Sequence, residues 1–334
     1  MIATNLYQSV LLDPVLQRGA DTIKIVSGYT SPGMCRRHIE DIVESEKRIK
    51  IELIVGMIPN DGLFEGDHIA FSDLMDNGHL GLPISCSYVC RRPGVHSKIY
   101  IWEQDGQPKE AFLGSANYSQ GAFINGNSRE VLEKCAPDEA RKYFDAISAD
   151  TIYCNNPDVE NEIEINKIKK SSFKRPANTE FRGSTIIPMT TGEMSAEFVR
   201  LSLLDSKGKV PFTSGLNWGQ RDKRDLNQAY IRVPADVMRM KFFPDRKEQF
   251  TVLTDDGKAI ICVTAQPGTK GQPLDRYKAI HSSTNNSLLG EYFRYRLGLM
   301  SGAFVKTSDV TDYGRTDVTF YKIDPETYYM DFSV

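Results

Sequence analysis

The chemistry of this sequence gathers in one stretch, VHSKIYIWEQDGQPKEAFLGSANYSQGAF, where His96-x-Lys98 is followed by Gly114-Ser115-x-Asn117. On a strand, residues i and i+2 share a face, so His96 and Lys98 are expected to enter one cleft, and Ser115 and Asn117 likewise on the next strand. If the two runs pair across the EQDGQPK turn, all four side chains converge. Such a set suits a phosphate: lysine and asparagine hold the non-bridging oxygens while the imidazole attacks phosphorus. Each piece alone is common on strands and turns. Their order, closing two consecutive strands and followed by a carboxylate, points to catalysis.

These residues need a sheet to position them. DTIKIVSGYT (21–30) and KIELIVGM (50–57) read as buried strands, and RRHIEDIVESEKR between them has helical spacing through Ile39, Ile42 and Val43. PISCSYVC (83–90), HSKIYIW (96–102) and EAFLGSAN (110–117) read as further strands, with a hairpin tip at 103–109. PDEARKYFDAIS reads as a helix with proline near its start and an acidic first turn. Strand–helix–strand order followed by consecutive strands predicts an α/β domain over 1–165, a mixed sheet with flanking helices.

A polar stretch follows, and residues 166–184 read as a linker. Residues 185–334 alternate short apolar runs with Gly, Pro and Asp, which predicts a mainly β pseudobarrel. TDDGK marks a hairpin there, and NNSLLGEYFRYRLGL (285–299) a helix capped by Asn285 or Asn286. Within that helix EYFRYRLGL reads as core, and Asp312, Tyr313, Arg315 and Asp317 as residues that seal the barrel.

Composition bounds the rest. With 334 residues, 40% hydrophobic and 25% charged, the chain is globular and long enough for two domains. No run of about 18 apolar residues spans a bilayer, and the N-terminus lacks a secretory pattern, so the expected location is the cytoplasm. Six cysteines without CxxC or HxxxH spacing are expected to be free thiols, with no zinc site. His38 and His79 are expected at the surface.

Charge is uneven. Residues 1–170 carry 18 Lys+Arg against 25 Asp+Glu, a balance of −7, and residues 171–334 carry 23 against 19, a balance of +4. The basic half is the better holder of nucleic acid. Two of its loops are rich in donors. SGLNWGQRDKR (214–224) offers Asn217, an exposed Trp218, Gln220, Arg221, Lys223 and Arg224, and TAQPGTKGQPLDRYK (264–278) offers Gln266, Lys270, Gln272 and Arg276. Composition alone favours two solvated loops. In a DNA complex, Arg and Gln would reach base edges and Lys phosphates.

HSK followed by GSAN resembles the phospholipase D superfamily motif, HxKxxxxD then GSxN, through His96, Lys98, Gly114, Ser115 and Asn117. Glu103 stands at the aspartate position, and the gap to the glycine is longer than usual. NGNSREVLE places Glu130 where nucleases of this branch carry a carboxylate that orients the imidazole, with Glu133 as the fallback. Only one motif copy occurs. The resemblance therefore implies a homodimer that brings two His96 side chains together, a phosphohistidine intermediate resolved by water, and neither metal ion nor other cofactor.

SGLNWGQR…NQAYIRVP and NNSLLGEYFRYRLGL…YGRTDVTFYKID resemble the C-terminal half of NgoAVII-type (NgoFVII-like) restriction endonucleases. There a phospholipase D-like nuclease joins a plant B-three-type DNA-binding pseudobarrel, whose two arms embrace the major groove. Residues 214–224 and 266–276 would be those arms. The resemblance implies a restriction endonuclease acting on double-stranded DNA at a short sequence, with a cognate DNA methyltransferase. It also implies a separate ATPase or helicase-like subunit, since no GxxxxGK[ST] loop occurs in this chain. Two other readings remain at this point: a sequence-specific DNA-binding protein whose nuclease-like half only dimerises, and a lipid phosphodiesterase, which the missing second motif disfavours.

Overall fold

The computed structural model describes residues 5–124, 129–166, 197–266, 273, 275–283 and 285–334. The chain forms two compact units that divide near residue 168. The expected linker lies outside the described residues except for Asn166, which ends a strand of the first unit.

The first unit contains β1 (Thr22–Ser27), β2 (Lys50–Val55), β3 (Leu63–Phe64), β4 (Ile84–Val89), β5 (Lys98–Gln104), β6 (Gln107–Gly114), β7 (Leu132–Cys135), β8 (Thr151–Tyr153) and β9 (Ile165–Asn166). Seven of them form a mixed sheet in the order β7-β6-β5-β1-β2-β4-β8, and β3 pairs with β9 apart from it. β1, β2 and β4 run parallel, while β5, β6, β7 and β8 pair antiparallel with their neighbours.

Both faces of the sheet are covered, which is why β1 and β2 read as unbroken apolar runs. Ile23, Ile25, Ile51, Leu53, Tyr100 and Trp102 join one core, together with residues of the helices Pro32–Glu44 and Glu65–Asn77. Val26, Ile54 and Ile101 point the other way, onto Ala140 and Phe144 of the helix Pro137–Ser148. This is the alternation that a two-residue period demands. Ser31 caps the first of these helices by accepting from the Met34 amide at 3.2 Å, with Pro32 at the first helical position.

The EQDGQPK tip forms as expected. Asp105 and Gly106, at φ 52° and 73°, make consecutive left-handed residues between β5 and β6, the turn that matches strand twist. The helix Glu65–Asn77 was not legible in the sequence.

The second unit holds β10 (Phe198–Ser202), β11 (Ile231–Arg232), β12 (Gln249–Thr254), β13 (Ala259–Ala265), β14 (Ala279–Ser282), β15 (Asp317–Lys322) and β16 (Thr327–Asp331). They form one sheet, β10-β15-β16-β12-β13-β14-β11, whose two edge strands approach each other, the near-closed form of a pseudobarrel. The TDDGK hairpin joins β12 and β13. YIRVPADV supplies only two strand residues, because past Pro234 the chain turns into the helix Ala235–Arg239. The helix of 285–299 runs over Leu288–Arg296; Ser287 is its N-cap residue, and the Asn285 side chain accepts from the Ser287 amide at 3.0 Å. Arg296 of this helix binds both Asp255 oxygens, at 2.7 and 2.9 Å, and the Tyr313 hydroxyl at 2.6 Å, so Tyr313 closes the barrel as expected.

The structure corrects one expectation about the histidines. His38 and His79 are buried, at 0% and 5% exposure. A carbonyl only accepts, so the His38 Nε2–H donates to Leu11 O at 2.9 Å, and Nδ1 then accepts the Tyr118 hydroxyl at 2.9 Å. His79 is held between Arg36 and Glu40. These partners lie far away in sequence, so local composition gave no sign of them. All six cysteines are free thiols.

Candidate active site and DNA-facing loops

β1 ends at Ser27, β5 begins at Lys98, β6 ends at Gly114 and β7 begins at Leu132. β5 runs antiparallel to β1 and β6, and β7 antiparallel to β6, so these four termini share one end of the sheet. The motif residues occupy it. Lys98 opens β5 and Gly114 closes β6, whereas His96, Ser115 and Asn117 sit on the loops at those strand ends. β5 begins only at Lys98, so no strand face is shared: the His96 side chain is exposed, whereas Lys98 is 5% exposed and donates to the His96 carbonyl at 2.5 Å. Burial lowers the Lys98 pKa, and the nearby Glu130 carboxylate works against that shift.

Past β6, Ser115 and Asn117 follow a glycine that must be glycine. A Cβ on Gly114 would lie 2.0 Å from Val131 O. That close approach lets Ser115 N donate to Val131 O at 2.9 Å, and lets the Ser115 hydroxyl accept from the Val131 amide at 3.0 Å while donating to Glu130. The Glu130 carboxylate therefore engages Ser115, and its field reaches Lys98; its hydrogen bond does not go to His96. Asn117 Oδ1 accepts from the Tyr29 amide at 3.2 Å and the Ser27 hydroxyl at 3.5 Å. With its oxygen held this way, the Asn117 amide nitrogen is the end left to donate. Glu103 is buried in an ion pair with Arg141, five residues along β5 from Lys98, and serves the sheet-to-helix packing.

The sequence did not mark the imidazole's neighbours. Tyr29 stands edge-on to His96, ring centres 6.0 Å apart, and its hydroxyl donates to Asp61 at 2.6 Å. A Cβ on Gly28 would lie 3.1 Å from His96 Cδ2 and 3.3 Å from Met57 Cγ. The only available signal was the GYT that ends the first strand, which reads as ordinary turn chemistry. The assembled end of the sheet thus offers an exposed imidazole, a buried ammonium, an amide and a hydroxyl–carboxylate pair.

In the second unit the loop residues divide. Asn217 is fully buried: Nδ2 donates to Pro211 O and Val305 O at 3.0 and 2.8 Å, and Oδ1 accepts from Val305 N at 2.9 Å. It ties loops together and has nothing left to offer DNA, a correction to the expectation. Gln220 is half-buried and spends its amide on Leu226 O and Gly302 O. Trp218 is half-buried rather than exposed, edge-on to Tyr230 at 5.6 Å and near His281 at 6.0 Å. The Arg224 guanidinium lies 4.1 Å above its ring and also donates to Gln228 at 2.8 Å. Arg221 is exposed, with Nε on Thr213 O at 2.6 Å, and Lys223 is exposed at φ 62°. Gln266, at φ 59°, and the exposed Arg276 stand at the described ends of the second loop; Lys270 and Gln272 lie outside the described residues.

Comparison with known proteins follows the same division. Residues 4–161 match the NgoFVII restriction endonuclease N-terminal PLD domain, and residues 192–324 match the NgoFVII C-terminal B3-like DNA-binding domain. Among solved structures, NucT from Helicobacter pylori is 17% identical with a TM-score of 0.31, covering 46% of this chain and 96% of that one. Nuc from Salmonella typhimurium, a phospholipase D family member, is 15% identical with a TM-score of 0.28, covering 46% and 86%. A polyphosphate kinase from Porphyromonas gingivalis is 16% identical with a TM-score of 0.30, covering 47% and 25%. No curated protein matches.

The two domain matches define the class, an endodeoxyribonuclease that couples a phospholipase D-like nuclease unit to a B3-like DNA-binding pseudobarrel. Both occur in the same order and together span most of the sequence. The chain belongs to the NgoFVII-type restriction endonuclease family. No helix among the described residues is long and apolar enough to cross a membrane.

Proposed function

We propose that this chain cuts double-stranded DNA as a homodimer, with His96 as the nucleophile and the B3-like unit choosing the site. The observation that carries this reading is the gathering of His96, Lys98, Ser115, Asn117 and Glu130 at one end of the sheet, with the imidazole exposed. A neutral His96 nitrogen attacks phosphorus, a P–N bond forms, and the P–O bond to the leaving sugar breaks. The partner copy's imidazolium gives that oxygen its proton. Water then attacks phosphorus, the P–N bond breaks, and the partner's imidazole takes the water proton. Lys98 and Asn117 stabilise the charge on the non-bridging oxygens. Ser115 and Glu130 fix the loop and balance the Lys98 charge.

One motif copy per chain supports the dimer, because one imidazole cannot serve as nucleophile and acid in the same step. The mechanism so written needs no metal ion, because Lys98 and Asn117 supply the charge stabilisation. In the second unit, exposed Arg221, Lys223 and Arg224 supply base and phosphate contacts, with Arg276 from the second arm. The family likeness supports a cognate methyltransferase and an ATP-driven partner subunit. Cleavage in excess EDTA tests the chemistry: cutting persists with the parent chain and vanishes with His96→Ala, while DNA binding survives. Loss of cutting on chelation, or cutting by the variant, overturns it.

A further inference from the structure

His96 forms one wall of a cavity of about 340 Å³ that extends away from the other motif residues and is lined further by Arg91, Arg92, Val95, Tyr143 and Asp150. We propose that it is a second phosphate subsite, through which the nuclease unit itself grips the DNA backbone next to the cut. The proposal rests on the nuclease reading above and adds a binding surface to it.

The chemistry of the lining carries the argument. Arg91 is 74% exposed, and its ion pair to Asp150 at 3.5 Å joins two solvated groups. Such a pair contributes little and yields to a better anion. Arg92 spends only Nε, on Pro59 O at 3.2 Å, so among the described residues its two terminal nitrogens hold no acceptor. The Tyr143 hydroxyl, which lines the cavity, bonds the adjoining Ser97 hydroxyl at 3.0 Å and can turn to an oxyanion instead. Ile147 and Val95 add apolar surface for a deoxyribose. Guanidinium pairs, hydroxyls and small apolar patches are what a sugar–phosphate chain presents partners for.

Charge sharpens the case. Over residues 1–170 the balance is −7, so most of this unit repels DNA. Two adjacent arginines on the loop that leads into His96 are a local exception, where the backbone can enter.

The test measures binding, not cutting, so its failure is separable from failure of the nuclease reading. The full chain carrying His96→Ala is titrated with a mixed-sequence 30-base-pair duplex over a range of salt concentrations. Adding Arg91→Ala and Arg92→Ala should lower the slope of log affinity against log salt by about 2, since each phosphate contact contributes about 0.9. Arg91→Lys with Arg92→Lys should restore most of that slope, and Arg48→Ala, at an exposed arginine outside the cavity, should leave it unchanged. An unchanged slope in the double alanine variant overturns the subsite, as does an equal fall with Arg48→Ala. If the double variant instead dissociates the dimer by sedimentation, the cavity is a protein interface and the proposal is wrong.

Discussion

Lowering the pH should loosen the wall behind the active site through His38. This side chain is fully buried, and burial pulls its pKa down to about 4 from the ordinary 6.5. The cause is burial, which disfavours the imidazolium; the Leu11 carbonyl and the Asp41 carboxylate favour the charged form but only partly offset that cost. The unfolded chain takes up that proton near pH 6.5 and the folded chain resists it until about 4. Stability is therefore fully present above pH 6.5, falls as pH drops between the two values, and is lost below 4. At ~1.4 kcal/mol per tenfold change in proton affinity, the contribution is about 3 kcal/mol.

Tyr118 adjoins Asn117 and its amide donates to Ser27 at 3.0 Å, so the effect bears on the site. The assay is urea unfolding between pH 7.5 and 4, followed by the fluorescence of Trp102, which packs against His38 at 6.0 Å. Trp218→Phe removes the other tryptophan of the chain. Carboxylates also titrate in this range, so the difference from a His38→Gln chain isolates the histidine. The parent should lose about 3 kcal/mol more than the variant over that interval. Parallel curves would refute the reasoning.

Other consequences are equally direct. Asn217→Ala strands three buried backbone groups and should cost roughly 3 kcal/mol of second-unit stability, read by thermal or urea unfolding, whereas a DNA-contact role predicts weakened binding alone. Arg224→Ala or Arg221→Ala should cost roughly 1–3 kcal/mol and relax choice at one base pair, while Lys223→Ala should weaken all sequences alike, as competition binding across a randomised duplex pool would reveal. Gly28→Ala crowds the imidazole and Tyr29→Phe releases the Asp61 anchor; both should lower the cleavage rate, and Tyr29→Phe, at an exposed side chain, with under about 1 kcal/mol of stability change, as single-turnover cleavage and urea unfolding would show. Full activity in both would show that His96 needs no support from that side.

Much of the fold was open to the sequence because it lies in local pattern. Unbroken Ile/Val runs gave β1, β2 and β5, Asp105-Gly106 gave their hairpin neighbour β6, and Pro137 with its acidic first turn gave the helix bounds. The helix Glu65–Asn77 carries few large apolar residues and has a proline-bearing turn just before it, so its period was faint. β16 follows β15 closely yet pairs parallel with β12 from a distant part of the chain.

For the candidate site, spacing singled out His96, Lys98, Ser115 and Asn117, but a shared strand face was the wrong local geometry, because Lys98 opens β5 while the other three stand on loops at the strand ends. Tyr29 and Asp61 carry no motif and meet only in the fold. Asn217 shows the opposite failure: an amide in a polar loop looks available until the loops that bury it are in place.

The central claim is covalent. When labelled duplex DNA is mixed with the chain and quenched in alkali, which preserves phosphohistidine, the account predicts a DNA–protein adduct whose mass maps to the peptide containing His96 and which His96→Ala abolishes. DNA cut at the normal rate with no adduct at residue 96 would contradict it.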